Sequence, residues 1–428
     1  MKKGMQAVLG KVDINRDLLL LLAIGGLYSL SIFLSNTFVN IFLWKQSEDY
    51  ASIALYNLAI YIMQPLTFLL AGKWAKKMDR VIVLRLGVTG LSLFFMTVLL
   101  VGEEASRFNI TLGGILGIGY GFYWLAYNVL TFEITEPETR DFFNGFFGLL
   151  QSFGGMIGPI TAGYIISKME NYTGYTVIFS ISLTLFLMAV VCSLFIQRRK
   201  AKGNLTLKPI IRVRKENTNW NKVLHAHFFQ GLREGTFLFV IAIWVFLITD
   251  SEFALGTFNL IFSASSFLFY YLATRIIKPN MRKKAVFIGG LMLYLSIYLI
   301  LFFRSYPVLL VYAAIIGMAY PIIYVPYFSI SYDVIGSSWK AKDMRIEYIV
   351  VKEQYLNAGR VISILLFLTG IAAFDPDTVI PYILAIVGAG HLMIYFFIKE
   401  VHLTRIHRDE SKDDQAMAKK EITEEKNR

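Results

Sequence analysis

Long apolar segments recur along most of the chain and are separated by short polar stretches. Each segment is roughly 20 residues long or longer, the length at which an α-helix crosses the hydrocarbon core of a bilayer. The pattern therefore predicts an all-α membrane protein with twelve transmembrane helices, numbered here as spans 1 to 12. The predicted spans are 18–44, 51–71, 81–101, 109–132, 142–166, 173–197, 222–249, 253–274, 285–303, 307–332, 346–372 and 378–398.

Charges in the loops between the spans predict the orientation of the chain. Basic residues dominate the segment 198–221 and the loops after spans 2 and 8. The alternate loops are short and acidic, as at Glu103/Glu104 and Asp375/Asp377. Because basic loops stay on the cytoplasmic side of a membrane, we expect the central loop and both termini to be cytoplasmic.

Composition supports a multi-pass protein of the cell membrane. The chain has 428 residues, of which 56% are hydrophobic and 17% charged. A soluble domain is about 25% charged, so an ordinary soluble enzyme is not expected. The net charge of +12 is compatible with nucleic-acid binding, but the excess lies mostly in loops predicted to be cytoplasmic. We therefore expect a lipid bilayer around the chain and no nucleic-acid partner.

These patterns divide the chain into two halves with flanking and linking segments. The predicted parts are a cytoplasmic N-terminus (1–17), an N-terminal six-helix half (18–197), a basic cytoplasmic linker (198–221), a C-terminal six-helix half (222–398) and a charged cytoplasmic tail (399–428). The tail is polar and nearly charge-balanced, so we expect it to be disordered.

The two halves repeat one another at an offset of about 200 residues. Residues 115–120 align with 315–320, and the match continues along spans 4 and 10 without a gap. Near the end of span 1, Trp44 aligns with Trp244 of span 7. Matches in two pairs of spans at nearly one offset indicate pseudo-symmetric halves.

Two parallel six-helix halves joined by a cytoplasmic linker resemble the major facilitator superfamily of secondary transporters. The resemblance covers residues 17–398. It implies that the substrate binds between the halves at the bilayer midplane, while the halves rock to expose it to either side. We expect a monomer that needs no cofactor and no metal ion.

The loop after span 2 is similar to that family's signature G-x-x-x-D-[RK]-x-G-[RK]. Gly72, Lys77 and Arg80 match it, whereas Lys76 occupies the acidic position and Asp79 the second glycine. The resemblance implies a gating loop. The departure at Lys76 means that the family's aspartate latch onto a neighbouring helix end is not expected here.

Span 5 is similar to the signature G-x-x-x-G-P-x-x-G-G of exporter and antiporter branches of the family. Gly154, Gly158 and Pro159 match it, and Ala162 replaces one later glycine. Glycines at this spacing allow close helix contact, and a proline can kink a span. The resemblance favours export, although tight packing alone is the simpler interpretation.

The resemblance places spans 1, 4, 7 and 10 around a central cavity. Aromatic residues recur at helical spacing on one face of span 4 and again in span 10, and these are Tyr120, Trp124, Tyr127, Tyr320, Tyr324 and Tyr327. Such stripes suit an amphipathic or organic substrate, or a cation held over the rings; packing between helices also explains them. Asn36 and Asn40 share a face of span 1 and either contact substrate or bond to neighbouring helices.

Span 7 carries charges deep in the predicted membrane. A charge at the centre of a membrane helix costs about 2.5–3.5 kcal/mol, so such residues face a protein interior or a water-filled cavity. Glu234 shares a helix face with His227 and Gln230, while Arg233 is turned about 100° away from it. We assign substrate or proton handling to both charges, and Glu234 is the candidate proton carrier.

Span 11 contains a second polar set. Glu353, Asn357 and Arg360 share a face, and Arg360 lies deep enough to take part in substrate or proton handling. Lys352 and Glu347 lie near the predicted cytoplasmic end. For these two we expect pairing that locks the C-terminal half.

The leading hypothesis is a secondary transporter for a small organic or amphipathic solute, coupled to a proton or another cation, with export by antiport favoured. A flippase for lipid-linked or glycolipid substrates is the second hypothesis. A third is a membrane scaffold or sensor that has a transporter fold but moves no substrate. The chain contains no G-x-x-x-x-G-K-[ST] motif for nucleotide binding and no strong metal spacing of histidines, so we do not expect an enzyme.

Overall fold

The computed structural model describes residues 15–134, 137–198, 203–341 and 343–402. Within these ranges the regular elements are all helical, with α-helices joined by short loops and two 3₁₀ helices. Residues 1–14 of the predicted N-terminal segment and residues 403–428 of the predicted disordered tail lie outside the described residues.

Six long helices correspond to spans 1 to 6. They are α1 (Arg16–Ser47), α2 (Tyr50–Lys77), α3 (Arg80–Val101), α4 (Asn109–Ile134), α5 (Pro137–Lys168) and α6 (Thr173–Leu194). A 3₁₀ helix, Gly102–Phe108, joins α3 to α4.

Eight further helices follow. They are α7 (Leu207–Glu216), α8 (Thr218–Thr249), α9 (Glu252–Ile276), α10 (Arg282–Phe302), α11 (Tyr306–Gly336), α12 (Arg345–Ala373), α13 (Pro376–Gly388) and α14 (Gly390–Ile398). Helix α7 lies inside the predicted linker and buries Ile210 and Val213. The predicted span 12 is interrupted at Ala389, where α13 ends and α14 begins.

Polar side chains in the loops fix where several helices begin. Asn15, Asp49 and Asp79 each accept a hydrogen bond from a backbone amide in the first turn of α1, α2 and α3. Asn217 and Ser251 do the same for α8 and α9. These caps satisfy amides that have no partner within the helix, so polar loop residues determine the boundaries of the apolar segments.

Eleven helical segments in the described part of the chain are long and apolar enough to cross a membrane. One of them, Arg80–Thr131, is 52 residues long and contains α3 and most of α4. Large apolar side chains also face outward, and Leu93, Leu187 and Leu268 are each about half exposed. Such a surface is unfavourable in water and suits hydrocarbon. The predicted all-helical, multi-pass architecture is therefore confirmed in its coarse form.

The same helix pairings occur in both halves. In the first half, α1 packs on α5 and α6, α2 on α4, and α3 on α4 and α6. In the second half, α8 packs on α12 and α14, α9 on α11, and α10 on α11 and α14. Each pairing has a counterpart at the equivalent position of the other half, as the sequence repeat predicts.

Two helix pairs make the most extensive contacts between the halves, α5 with α9 and α2 with α12. A Cβ atom added at Gly163 would lie 2.4 Å from the carbonyl oxygen of Glu252, and one at Gly256 would lie 2.5 Å from that of Pro159. Helices α5 and α9 therefore touch backbone to backbone near Lys168, where α5 ends. The α2–α12 contact lies at the opposite end of the spans, close to Gly72.

Candidate functional site

An ion pair joins α8 to α12 inside the C-terminal half. Glycines bring the two helices close, since a Cβ atom at Gly231 would lie 1.9 Å from the carbonyl oxygen of Leu356 and one at Gly235 2.5 Å from that of Arg360. Arg360 donates from Nε and Nη2 to Oε2 of Glu234, at 3.0 and 2.6 Å. Charge-assisted bonds of this kind are among the strongest that side chains form.

Further hydrogen bonds extend this pair to α11 and α14. The other carboxylate oxygen of Glu234, Oε1, accepts from Gln230 Nε2 at 2.9 Å and from the Tyr324 hydroxyl at 2.7 Å. The Tyr324 hydroxyl also contacts His391 Nε2 at 2.9 Å, and Gln230 Oε1 contacts His227 Nδ1 at 3.0 Å. The sequence pattern does not point to His391, because no spacing along the chain links α14 to α8.

The neighbouring Arg233 is 1% exposed and points away from Glu234 toward aromatic rings. Its guanidinium carbon lies 4.3 Å from the ring centre of Phe237 and 5.5 Å from that of Tyr320. Its Nη1 donates to the Tyr320 hydroxyl. Within the described part of the chain, its Nε and Nη2 have no hydrogen-bond partner.

A cavity of about 760 Å³ lies beside this network, between α5 and α9. Glu234, Tyr320 and Tyr324 form its inner wall, and Gln151 and Ser266 add polar groups to a mainly apolar lining. A second cavity of about 140 Å³ shares Glu234 and Tyr320 with the first. The two cavities place the charged network at the boundary between the halves.

Arg233 lines the smaller cavity, together with polar side chains from three other helices. Thr37 comes from α1, Asn259 from α9 and Tyr312 from α11.

The two charges of span 7 point to different partners, as predicted: Glu234 pairs with Arg360 of α12, and Arg233 contacts the rings of Phe237 and Tyr320. Both residues line the smaller cavity.

The polar residues predicted in span 11 divide between the network around Glu234 and contacts elsewhere. Asn357 accepts from Arg360 Nη1 at 3.2 Å and so belongs to the network. Glu353 lies 3.7 Å from Lys352 Nζ. Glu347 is fully buried and pairs with Lys76 of α2.

The predicted lock within the C-terminal half is therefore wrong for Glu347. Its partner belongs to the other half, so the pair ties α2 to α12 across the interface. The spacing of charges along one helix identified Lys352 as a neighbour but could not reveal a partner on a distant helix. Gln354 Nε2 adds a second contact across the same interface, donating to the carbonyl oxygen of Pro65 at 2.9 Å.

The predicted cavity residues of the N-terminal half make hydrogen bonds to side chains within that half. Tyr120 donates to Asn36 Oδ1 at 3.3 Å, and Trp124 Nε1 donates to the Tyr28 hydroxyl at 3.0 Å. Asn40 Oδ1 accepts from Asn57 Nδ2 at 2.8 Å. The structure thus places these residues at contacts between α1, α2 and α4, outside the walls of both cavities.

Two tyrosines of the predicted stripes are buried in packing contacts. Tyr127 is 3% exposed and donates to the carbonyl oxygen of Leu21. Tyr327 is fully buried against the ring of His227. The stripes therefore differ between the halves: among the described residues, Tyr320 and Tyr324 line the two cavities beside Glu234, and the stripe residues of α4 do not line them.

The predicted gating and packing residues occupy helix contacts. Arg80 pairs with Glu133 of α4 at 2.7 Å, whereas Lys77 is exposed. Cβ atoms at Gly154 and Gly158 would meet Phe33 of α1 at 3.3 and 2.9 Å. Gly154 and Gly158 therefore pack against α1 within their own half, while Pro159 faces Gly256 of α9.

A second ion pair joins the halves at the end of the spans opposite to Lys76 and Glu347. Lys45 of α1 pairs with Glu252 of α9 at 2.9 Å, and Tyr175 donates to the same carboxylate at 2.8 Å. Ion pairs thus join the halves at both ends of the spans.

Among the described residues, no group of three or more His, Cys, Asp or Glu side chains is arranged to hold a metal ion.

Membrane-length helices in two similarly packed halves, with a charged site beside a cavity between them, define a membrane transport protein. The sequence profile of the Major Facilitator Superfamily matches residues 18–344, and the chain belongs to this family. Its fold and membership confirm the resemblance seen in the sequence.

Similar proteins are found in two bacteria. The chain is 56% identical over 397 residues to "Uncharacterized protein YqgE" of Bacillus subtilis (strain 168), covering 93% of this chain and 92% of the relative. It is 58% identical over 204 residues to "Uncharacterized protein in sodM 3'region" of Geobacillus stearothermophilus, covering 48% of this chain and 95% of that relative.

A solved structure shares the fold. The crystal structure of the human organic anion transporter MFSD10 (TETRAN) matches with a TM-score of 0.61 at 13% identity, covering 90% of this chain and 100% of that one. At this identity the likeness is one of fold alone.

Proposed function

We propose that the protein is a secondary transporter that moves a small organic or amphipathic solute by alternating access. One observation carries the proposal: the Glu234–Arg360 ion pair lies at the wall of a cavity between two halves that touch at opposite ends. The proposed topology has twelve spans in a cell membrane, with both termini and the linker on the cytoplasmic side, as the basic loops favour.

The contacts between the halves support alternating access. In the proposed topology, α5 and α9 meet near the outer surface at Gly163 and Gly256. Helices α2 and α12 meet near the cytoplasmic surface through Lys76 and Glu347. Because the cavity lies between these contacts, loosening one set while the other holds would open it to one side at a time.

The ion pair is placed to sense movement of the halves. The Arg360 guanidinium lies 5.0 Å from the ring centre of Tyr61, which belongs to α2 of the other half. A change at Glu234 therefore alters a contact across the interface. For this reason we propose Glu234 as the proton carrier, whose protonation would release Arg360 and couple the solute to a proton.

Gradient-driven flux through Glu234→Gln tests this function. The full-length protein is reconstituted in vesicles, and uptake of naphthalene-1-sulfonate, a permanently charged aromatic probe, is measured with and without an imposed pH gradient. We expect the wild type to respond to the gradient and Glu234→Gln to lose the response while still binding the probe. The matched control is Glu104→Gln, because Glu104 is exposed in the 3₁₀ turn after α3 and pairs with Arg107.

Two results would contradict this proposal. Gradient-driven uptake that survives unchanged in Glu234→Gln would remove Glu234 from coupling. Absence of flux for organic anions, cations, neutral solutes and lipids alike, together with recruitment of a protein by the tail, would favour the scaffold or sensor.

A second candidate is a flippase for lipid-linked or glycolipid amphiphiles, and the mouth of the larger cavity favours it. Leu149 of α5 and Tyr271 of α9 line this cavity and are 53% and 57% exposed. Apolar side chains flanking an opening between two membrane helices suit a substrate that enters sideways from the bilayer. Protein-dependent movement of a fluorescent phosphatidylglycerol between leaflets, with no uptake of naphthalene-1-sulfonate, would establish this candidate over the first.

A further inference from the structure

We propose that Arg233 binds an anionic group of the transported solute, so that the substrate is an organic anion with an apolar body. This inference rests on the proposed transport function and names its substrate class. The anionic group would lie in the smaller cavity, and the apolar body in the larger one.

The charges around the site leave one positive charge without a carboxylate. Arg360 is neutralised by Glu234. Lys352 and Glu353 lie 3.7 Å apart. Arg233 has no ion-pair partner among the described residues, although it is 1% exposed. A buried charge without a counter-charge is unfavourable in a low-dielectric interior, so this site favours an anionic ligand.

The geometry of the unpartnered nitrogens agrees with an anion. Nε and Nη2 lie on the same edge of a guanidinium and together bind carboxylate, sulfonate or phosphate oxygens in a fork. Arg360 binds Glu234 through this same pair of nitrogens. In Arg233 this edge has no partner, while Nη1 is held by Tyr320.

The two cavities fit the two parts of such a substrate. The smaller one, about 140 Å³, has room for a charged head group, and Thr37 and Asn259 add polar groups to its wall. The larger one, about 760 Å³, lies within the range of ligand pockets for organic molecules and is mainly apolar. Glu234 and Tyr320 line both cavities, so a ligand that occupies both would pass between these side chains.

Binding of three probes that share one aromatic body tests the inference. Naphthalene-1-sulfonate, 1-naphthalenemethanol and (1-naphthylmethyl)trimethylammonium share the naphthalene ring and differ in the substituent at position 1 and its charge. Their affinities for purified full-length protein are measured by titration calorimetry, a readout that needs no transport. We expect the wild type to bind the sulfonate at least about tenfold more tightly than the alcohol and to bind the ammonium weakly.

Arginine variants locate this preference. Arg233→Gln is expected to lose the preference for the sulfonate and to keep the affinity for the alcohol. Arg233→Lys keeps the positive charge but lacks the two-nitrogen fork, so it should retain part of the preference for the sulfonate. This variant also provides the test if Arg233→Gln fails to fold. The matched control is Arg85→Gln, because Arg85 is a membrane arginine whose side chain bonds to the carbonyl oxygens of Ser193 and Leu194, away from both cavities.

Several outcomes would overturn the inference. A wild type that binds all three probes equally, or prefers the ammonium, contradicts an anion site. An unchanged preference in Arg233→Gln, or in Arg233→Lys where the first variant does not fold, assigns Arg233 a packing role between α8 and α11. Arg233-dependent binding without any flux would contradict the transport function and leave the anion site standing, so the two failures are distinguishable.

A lipid head group and a free organic anion are separated by the surrounding bilayer. Sulfonate affinity is compared in nanodiscs of phosphatidylcholine and of phosphatidylglycerol, for the wild type and Arg233→Gln. If phosphatidylglycerol lowers the sulfonate affinity more in the wild type than in Arg233→Gln, the lipid head group competes for Arg233. Equal losses reflect surface charge alone and identify a free anion as the ligand.

Discussion

Two arginines of the C-terminal half, the buried Arg233 and the partly buried Arg360, differ in whether a carboxylate accompanies them. Arg360 shares two hydrogen bonds with Glu234, whereas Arg233 contacts aromatic rings and the Tyr320 hydroxyl and has no carboxylate partner within the described ranges. Both lie in membrane-length helices, where an ionised side chain is unfavourable unless another group compensates it. The paired arginine therefore contributes to the fold as well as the site, and the unpaired one points to a ligand.

The Glu234–Arg360 pair gives a prediction about stability. Removing one partner of a fully buried ion pair costs about 3–5 kcal/mol, because the remaining charge stays buried without compensation. Glu234 and Arg360 are 13% and 16% exposed, so the loss here is expected to be smaller. We expect Arg360→Gln and Glu234→Gln each to unfold at a lower temperature than the double variant, in thermal unfolding of the purified protein. If the two losses simply add in the double variant, the pair is not a coupled unit.

The sequence could predict contacts within one helix of this network but not contacts between helices that lie far apart in the chain. Helical spacing correctly grouped His227, Gln230 and Glu234 on one face, because residues of one helix have a fixed geometry. The same reasoning could not supply His391 or the Lys76–Glu347 pair. Those contacts join helices far apart in the chain, and only the tertiary packing brings them together.

At the scale of helices, glycines determine how closely the halves approach. Gly163 of α5 packs against the backbone of α9, whereas Gly148, earlier in the same helix, has no heavy atom within 4 Å of an added Cβ. The signature in span 5 predicted close contact for Gly154 and Gly158, and the structure places both against α1. Which glycine faces the other half was not visible from the motif.

This contrast gives a prediction with its own control. Gly163→Ala introduces a Cβ atom that would lie 2.4 Å from a backbone oxygen, so α5 and α9 must move apart. We expect a loss of about 1–3 kcal/mol of stability, as for other overpacked positions, seen as a lower unfolding temperature. Gly148→Ala should leave that temperature unchanged or slightly raised. Equal behaviour of the two variants would show that the α5–α9 contact is not tight.

Two features of the helices could not be predicted from the apolar segments: the short helix α7 and the interruption of span 12. Helix α7 is too short and basic to be detected as a span, and forms because Ile210 and Val213 pack against the body of the protein. Span 12 is apolar throughout but breaks at Ala389. Hydrophobic length predicts that a segment crosses a bilayer and carries no information about a local break within it.

At the scale of the whole molecule, the repeat predicted the architecture better than the site. The repeated helix pairings follow from it, because pairings depend on apolar faces and glycines that both halves share. The polar residues diverged: Tyr324 bonds to Glu234, while its counterpart Trp124 bonds to Tyr28. The charged network is therefore confined to one half, and the cavity wall that it forms is asymmetric.

The central claim is that one cavity opens to each side of the membrane in turn, and two-sided accessibility tests it most directly. A cysteine replaces the cavity residue Ser152 in a Cys192→Ser background, and a membrane-impermeant thiol reagent is applied from either side of sealed vesicles. The control is a cysteine at Leu187, which is half exposed on the outer face of α6.

We expect the cysteine at position 152 to be labelled from both sides, and bound naphthalene-1-sulfonate to reduce both rates, while position 187 stays unlabelled. Labelling of position 152 from one side only, with or without the probe, would contradict alternating access through this cavity.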